Sequence, residues 1–134
     1  MTPQASVRVE NLTSALPVPE MWGAFTVNST EGNRLEVLGW ALGAKAEVER
    51  IEVLAKDVVV ASTEPSLTRK ELAEQFPDRE SARNCGFRIE IEAQGKGKST
   101  LQLRAVLEDE ITVPMGQISV VAPARRWGNV LRRT

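Results

Sequence analysis

The chain has 134 residues, 42% of them hydrophobic and 26% charged, with 17 Lys+Arg against 18 Asp+Glu. This is enough for one folded domain with its own core, and the balance argues against global disorder. There is no histidine, no tyrosine and one cysteine, which excludes a Ser-His-Asp or Cys-His constellation, an intrachain disulfide and a zinc site built from thiols and imidazoles.

The charge is unevenly placed. All 18 acidic residues lie in residues 1–121, whereas residues 122–134 carry Arg125, Arg126, Arg132 and Arg133 and no acid. The chain therefore divides into a mildly acidic body, residues 1–121, and a basic C-terminal tail or linker, residues 122–134. An acidic body is a poor electrostatic match for a phosphate backbone, so no nucleic-acid partner is expected. The tail reads as a solvated linker, and contact with a membrane surface through its arginines and Trp127 is the less favoured reading. No apolar run approaches the ~20 residues of a spanning helix. The N-terminal segment lacks the pattern of a secretory signal, and with the single Cys85 this points to the reducing cytoplasm.

In chain order, residues 7–12 (VRVENL) alternate and predict a first, edge strand. Pro17 and Pro19 then impose an extended connection. Residues 23–28 (GAFTVN) predict a second strand, and residues 29–33 (STEGN) carry turn chemistry. Residues 34–55 contain the densest apolar run and predict a hairpin of two strands joined by residues 43–47. From Val37 onward both faces of its first strand are apolar or small, so that strand is expected to be covered on both sides. Gly39 within it marks a bulge or a close approach by another backbone. Trp40 reads as core filler, the alternative being a ligand-stacking platform. Lys56 and Asp57 form a tight turn before the short apolar strand 58–61.

Residues 66–76 (SLTRKELAEQF) predict the one helix, with Leu67, Leu72 and Phe76 on its apolar face, Thr68 and Glu71 at capping-box spacing, and Pro77 as its stop. Residues 78–85 are polar and irregular. Residues 86–92 and 100–108 alternate cleanly, separated by the glycine-rich loop QGKGKS, whose spacing is not that of a phosphate loop. Residues 111–121 begin with Ile111, Val113 and Met115 on one face. The apolar parity then switches at Gly116 to Ile118 and Val120, predicting a bulge or a change of sheet. Seven to eight strands at this spacing with one short helix predict an antiparallel β-sandwich.

Little here can carry chemistry. Glu90 and Glu92 share a strand face and read as solvated beside Arg88 and Arg104. Glu108, Asp109 and Glu110 read as a plain acidic turn without calcium-loop spacing. Cys85 reads as a small packed residue. No catalytic residue, metal or cofactor is expected. The candidate ligand-binding residues are Trp22, with Glu20 beside it, and the pair Arg69 and Glu71. Arg69 is expected to pair with Asp78 or a carboxylate on a neighbouring strand.

Three pieces in this order carry a resemblance: the strand VLGWAL (residues 37–42), the stretch TRKELAEQFP (68–77) and the strand entry SARNCGFRIEI (81–91). Together they resemble the immunoglobulin-like β-sandwich domain found beside bacterial glycosyltransferase and methyltransferase modules in surface-polysaccharide systems. The resemblance covers residues 20–121. It implies an accessory, non-catalytic role that docks a neighbouring domain or partner protein, with no catalytic residues to carry over. The alternative is a module that binds carbohydrate through its exposed tryptophans and loops. The chain departs from the family's usual strings in three places. Lys70, Glu71 and Leu72 stand where Pro-Asp-Val is usual, and Cys85 stands where a serine precedes Gly86 and Phe87. Lys56 and Asp57 replace an Asp-Gly turn, a change not expected to keep the turn geometry.

Overall fold

The protein was analysed as a computed structural model that describes residues 6–11, 20–29, 34–92 and 98–121. Among these residues, eight strands form two antiparallel sheets packed face to face. They are β1 (Ser6–Asn11), β2 (Met21–Ser29), β3 (Arg34–Gly43), β4 (Val48–Ala55), β5 (Val58–Thr63), β6 (Gly86–Glu92), β7 (Lys98–Leu107) and β8 (Thr112–Val121). The larger sheet has the order β1-β8-β7-β4-β5 and the smaller β2-β3-β6. Between β5 and β6 lie a short helix α1 (Lys70–Gln75) and a 3-10 helix (Glu80–Asn84). The expected β-sandwich is thus the fold, and among the described residues β1 is an edge strand paired with β8.

The core follows from alternation. Met21, Phe25, Leu35, Val37, Phe87 and Ile89 point inward from the smaller sheet. They meet Ile51, Val53, Leu103, Ala105, Met115, Ile118 and Val120 from the larger one, all of them buried. Burying such a side chain contributes about 1.5–3 kcal/mol.

The hairpin expected over residues 34–55 does not form. β3 pairs with β2 and β6, whereas β4 pairs with β5 and β7. Residues 44–47 carry the chain from one sheet to the other, so Leu35 and Val37 lie across the sandwich from Ile51 and Val53 rather than beside them. The crossing is tight. A Cβ on Gly43 would sit 1.8 Å from the Ala46 carbonyl oxygen, and the Ala44 amide donates to the Glu20 carbonyl at 2.9 Å. Two apolar strand faces are better buried against each other across the core than side by side in one sheet.

The turn at Lys56 and Asp57 does keep its geometry, contrary to expectation. Both residues have positive φ (49° and 66°), and Ala55 pairs with Val58 across them. This is the left-handed conformation at both central positions that matches the strand twist in a two-residue hairpin. The parity switch at Gly116 is a bulge: Leu103 pairs with Gly116 and Arg104 with Pro114, which leaves Met115 as the extra residue. Ile111 precedes the strand and is exposed.

The helix is shorter than expected. The amides of Ser66 and Leu67 both donate to the Gly86 carbonyl at 2.9 Å, so this segment runs extended along β6, and Leu67 is exposed. The helix begins only after Arg69, whose φ of −132° is extended. The capping box is not made. The Thr68 hydroxyl donates to Asn84 Oδ1 at 3.3 Å, and the Glu71 carboxylate accepts from Arg69. Residues 78–85, read as irregular, contain the 3-10 helix. The connection 12–19, residues 94–97 of the glycine-rich loop and the tail 122–134 with Trp127 lie outside the described residues.

Candidate functional site

The outer face of the smaller sheet gathers the polar and aromatic side chains that the core does not take. Register places Ala24, Trp40 and Gly86 in one row across the three strands. Thr26, Leu38 and Arg88 form the next row, and Asn28, Glu36 and Glu90 the third. Trp22 lies on the same face, one pleat beyond Ala24.

The segment between β5 and β6 folds over the first of these rows. Gly86 makes this approach feasible, because a Cβ there would lie 2.9 Å from Arg69 Cγ and 3.0 Å from the Leu67 carbonyl oxygen. Leu72 is buried. Phe76, at the end of α1, packs on Trp22 with ring centroids 5.0 Å apart at 40°, and on Trp40 at 6.2 Å and 47°. The Arg79 guanidinium lies over the Trp22 ring, 5.5 Å from its centroid. Trp22, Trp40, Phe76 and Arg79 are all half-buried. Trp40 therefore does not fill the inter-sheet core. It belongs to a second, smaller apolar cluster on the opposite face, which is why both faces of β3 read as covered.

Arg69 joins this end of the face. Its side chain pairs with Glu71 rather than Asp78, and its Nη1 donates to the Gly39 carbonyl at 3.5 Å. The hydrogen bond from Arg69 holds the Glu71 carboxyl below the usual range, although Glu71 itself is exposed. Glu20 is exposed in the turn before β2, and its backbone rather than its side chain is engaged in the sheet crossing. Of the four candidate residues, the structure thus gathers Trp22 and Arg69 around the aromatic cluster, with Glu71 attached through Arg69. Cys85 is buried beneath, its thiol donating to the Ala82 carbonyl at 3.2 Å. Burial pushes its pKa up, against the pull of nearby Arg69, so it is held as a neutral thiol.

The other end of the face is charged and open. Arg88 pairs with Glu36 at 2.6 Å and with Glu90 at 2.8 Å. With Arg34, Ile91 and Glu92 they line an open groove of about 490 Å³. Arg104 is not part of this face, contrary to expectation.

Arg104 stands on the larger sheet, where with Arg50 it brackets Glu52, a buried carboxylate that sequence reasoning missed. Arg50 Nε lies 2.7 Å from one carboxylate oxygen, and Arg104 Nη2 lies 2.7 Å from the other. Burial alone would raise the Glu52 pKa, but the bonds from Arg50 and Arg104 outweigh it and hold the carboxyl below the usual range. The available signal was the alternation of Arg50, Glu52 and Leu54 on one side of β4. What it lacked was the pairing of Glu52 with Arg104 across β7.

Among the described residues, no three carboxylates or thiols are grouped as metal ligands would be. Asp109 in the acidic turn accepts a hydrogen bond from the Ile111 amide at 3.2 Å, and Glu110 takes a positive φ of 71°. No described helix is long and apolar enough to cross a membrane. No protein-family model matches the chain, and no curated protein matches it.

Proposed function

We propose that this chain is a non-catalytic accessory module that docks a neighbouring domain or partner protein through the outer face of its smaller sheet. One observation carries the reading: the half-buried cluster of Trp22, Trp40, Phe76 and Arg79 on that face. Trp and Arg held by packing are the residue types that dominate binding energy at protein interfaces, because large rigid rings bury much area at little entropic cost. The charged end, with Arg88 between Glu36 and Glu90, would form a polar rim that sets orientation. The segment over the cluster contains one of the three stretches that carry the family resemblance, residues 68–77, and the start of another, residues 81–91. That resemblance implies a β-sandwich, and the chain folds as two antiparallel sheets, β1-β8-β7-β4-β5 and β2-β3-β6. By this reading the partner is a glycosyltransferase or methyltransferase module of a bacterial surface-polysaccharide system, and the setting is the cytoplasm.

The test joins the chain to such a module and maps crosslinks between them. Links from the surface around Trp22 and Arg79 are expected, with loss in Trp22→Ala. Links that avoid this face would remove the proposal.

A carbohydrate-binding reading draws on a different observation, the open groove lined by Arg34, Glu36, Arg88, Glu90 and Glu92. These groups suit sugar hydroxyls. The Trp22 ring, however, already packs against Phe76 and Arg79 and offers a sugar less free surface than a stacking platform needs.

A further inference from the structure

We infer that residues 70–82 form a latched strap, which opens as a unit from the outer face of the smaller sheet and uncovers Trp22 and Trp40 while the sandwich stays folded. Its bearing on docking rests on the function proposed above; the opening itself does not.

The strap is tied off at its base. The Ser66 and Leu67 amides donate to the Gly86 carbonyl, and the Gly86 amide returns a bond to the Leu67 carbonyl at 3.0 Å. The Arg69 amide donates to the Arg83 carbonyl at 2.7 Å, and the Thr68 hydroxyl donates to Asn84. The two ends are therefore held together beside β6. What lies between them can leave the sheet without drawing a strand along.

Beyond the base the strap is thinly held. From residue 70 to residue 82 only Leu72 and Ala82 are buried. α1 has six residues and the 3-10 helix five, and neither has a side-chain cap. Helical pieces this short do not stand alone. The amides of Leu72, Ala73, Phe76, Arg79 and Ala82 donate to the carbonyls of Arg69, Leu72, Phe76 and Arg79, so these bonds are internal to the segment. Among the described residues, none from 66 to 85 belongs to the apolar core between the sheets. Losing the strap's contacts leaves that core whole. Little burial and no share in the core mark a unit that opens well below the free energy of global unfolding.

Phe76 is the latch. Its ring packs on Trp22 of β2 and on Trp40 of β3, so one side chain spans two strands, and Arg79 adds its guanidinium over Trp22. Opening gives up these ring contacts and turns both indoles to solvent. A partner that docks on the closed cluster binds one of the two states, and so it slows the opening.

Amide hydrogen exchange of the full chain, followed by NMR at low urea and with no partner present, reads the opening; circular dichroism confirms that each variant folds. The amides of Leu72, Ala73, Phe76, Arg79 and Ala82 are expected to share one opening. It should be about a hundredfold more frequent than that of the β3 and β7 amides and have a smaller urea slope. Phe76→Ala should make it about tenfold more frequent. Ile118→Val, in the core between the sheets, should speed the β3 and β7 amides about 2–12-fold and leave the strap amides unmoved. Strap amides that exchange as slowly as those of β3 and β7, that accelerate with them in Ile118→Val, or that ignore Phe76→Ala would overturn the inference. Crosslinks that avoid Trp22 would remove the docking proposal and leave these exchange rates as they are.

Discussion

Glu52 carries most of the electrostatic stake on the larger sheet. Its side chain is 7% exposed, and its charge is tolerated because Arg50 and Arg104 bond both carboxylate oxygens. The two guanidiniums are themselves partly in water (40% and 36% exposed), which screens the interaction. Glu52→Gln is therefore expected to lower stability by only about 1 kcal/mol at neutral pH. The folded carboxyl titrates below its unfolded counterpart. The contribution is thus fully present above the unfolded pKa and is lost as pH falls through the lowered folded value. Urea melts of the two proteins should differ at pH 7 and converge on acidification; a difference that grew on acidification would reverse this assignment. Gly39 is a second exacting position. A Cβ there would lie 2.4 Å from the Ala24 carbonyl oxygen and 2.8 Å from Phe25 Cβ. Gly39→Ala should cost about 2–3 kcal/mol by the same measurement, since β2 must shift to admit the methyl.

Element by element, what could be read ahead of the structure was what alternation encodes. Phe87 and Ile89, then Leu101, Leu103, Ala105 and Leu107, are buried as their spacing demands, and the switch at Gly116 is a bulge. The errors arose where a partner far along the chain decides. The apolar strands on either side of residues 43–47 have the pattern of a hairpin, but pairing with β6 and β7 draws them into different sheets. Helix-like spacing from Ser66 onward yields to the Gly86 carbonyl, which captures two amides and keeps the chain extended. The aromatic cluster was only half legible: Trp22 stood out as a site residue, but its contact with Phe76 depends on a fold-back that no local pattern records. At the turn, Lys56 and Asp57 hold positive φ without glycine. Asp57→Gly should therefore stabilise the protein by about 0.5–1 kcal/mol, seen as a raised denaturation midpoint with an unchanged slope.

For the whole molecule, the sandwich keeps its two sheets' inner faces for stability and leaves two different surfaces outward. The smaller sheet presents Trp22, Phe76 and Arg79 at one end and the Arg88 ion pairs at the other. The larger sheet ends in the bare β5 edge. The proposed docking falls on the first of these surfaces. The most direct measurement is an amide-resolved NMR titration of the chain with a panel of oligosaccharides and nucleotide sugars, then with the proposed partner, a glycosyltransferase or methyltransferase module. A docking module predicts a well-dispersed spectrum that the sugars leave unmoved and the module perturbs at Trp22, Phe76 and Arg79. Saturable shifts with a sugar, centred on Glu36, Arg88 and Glu90, would contradict it and make the charged groove a glycan site.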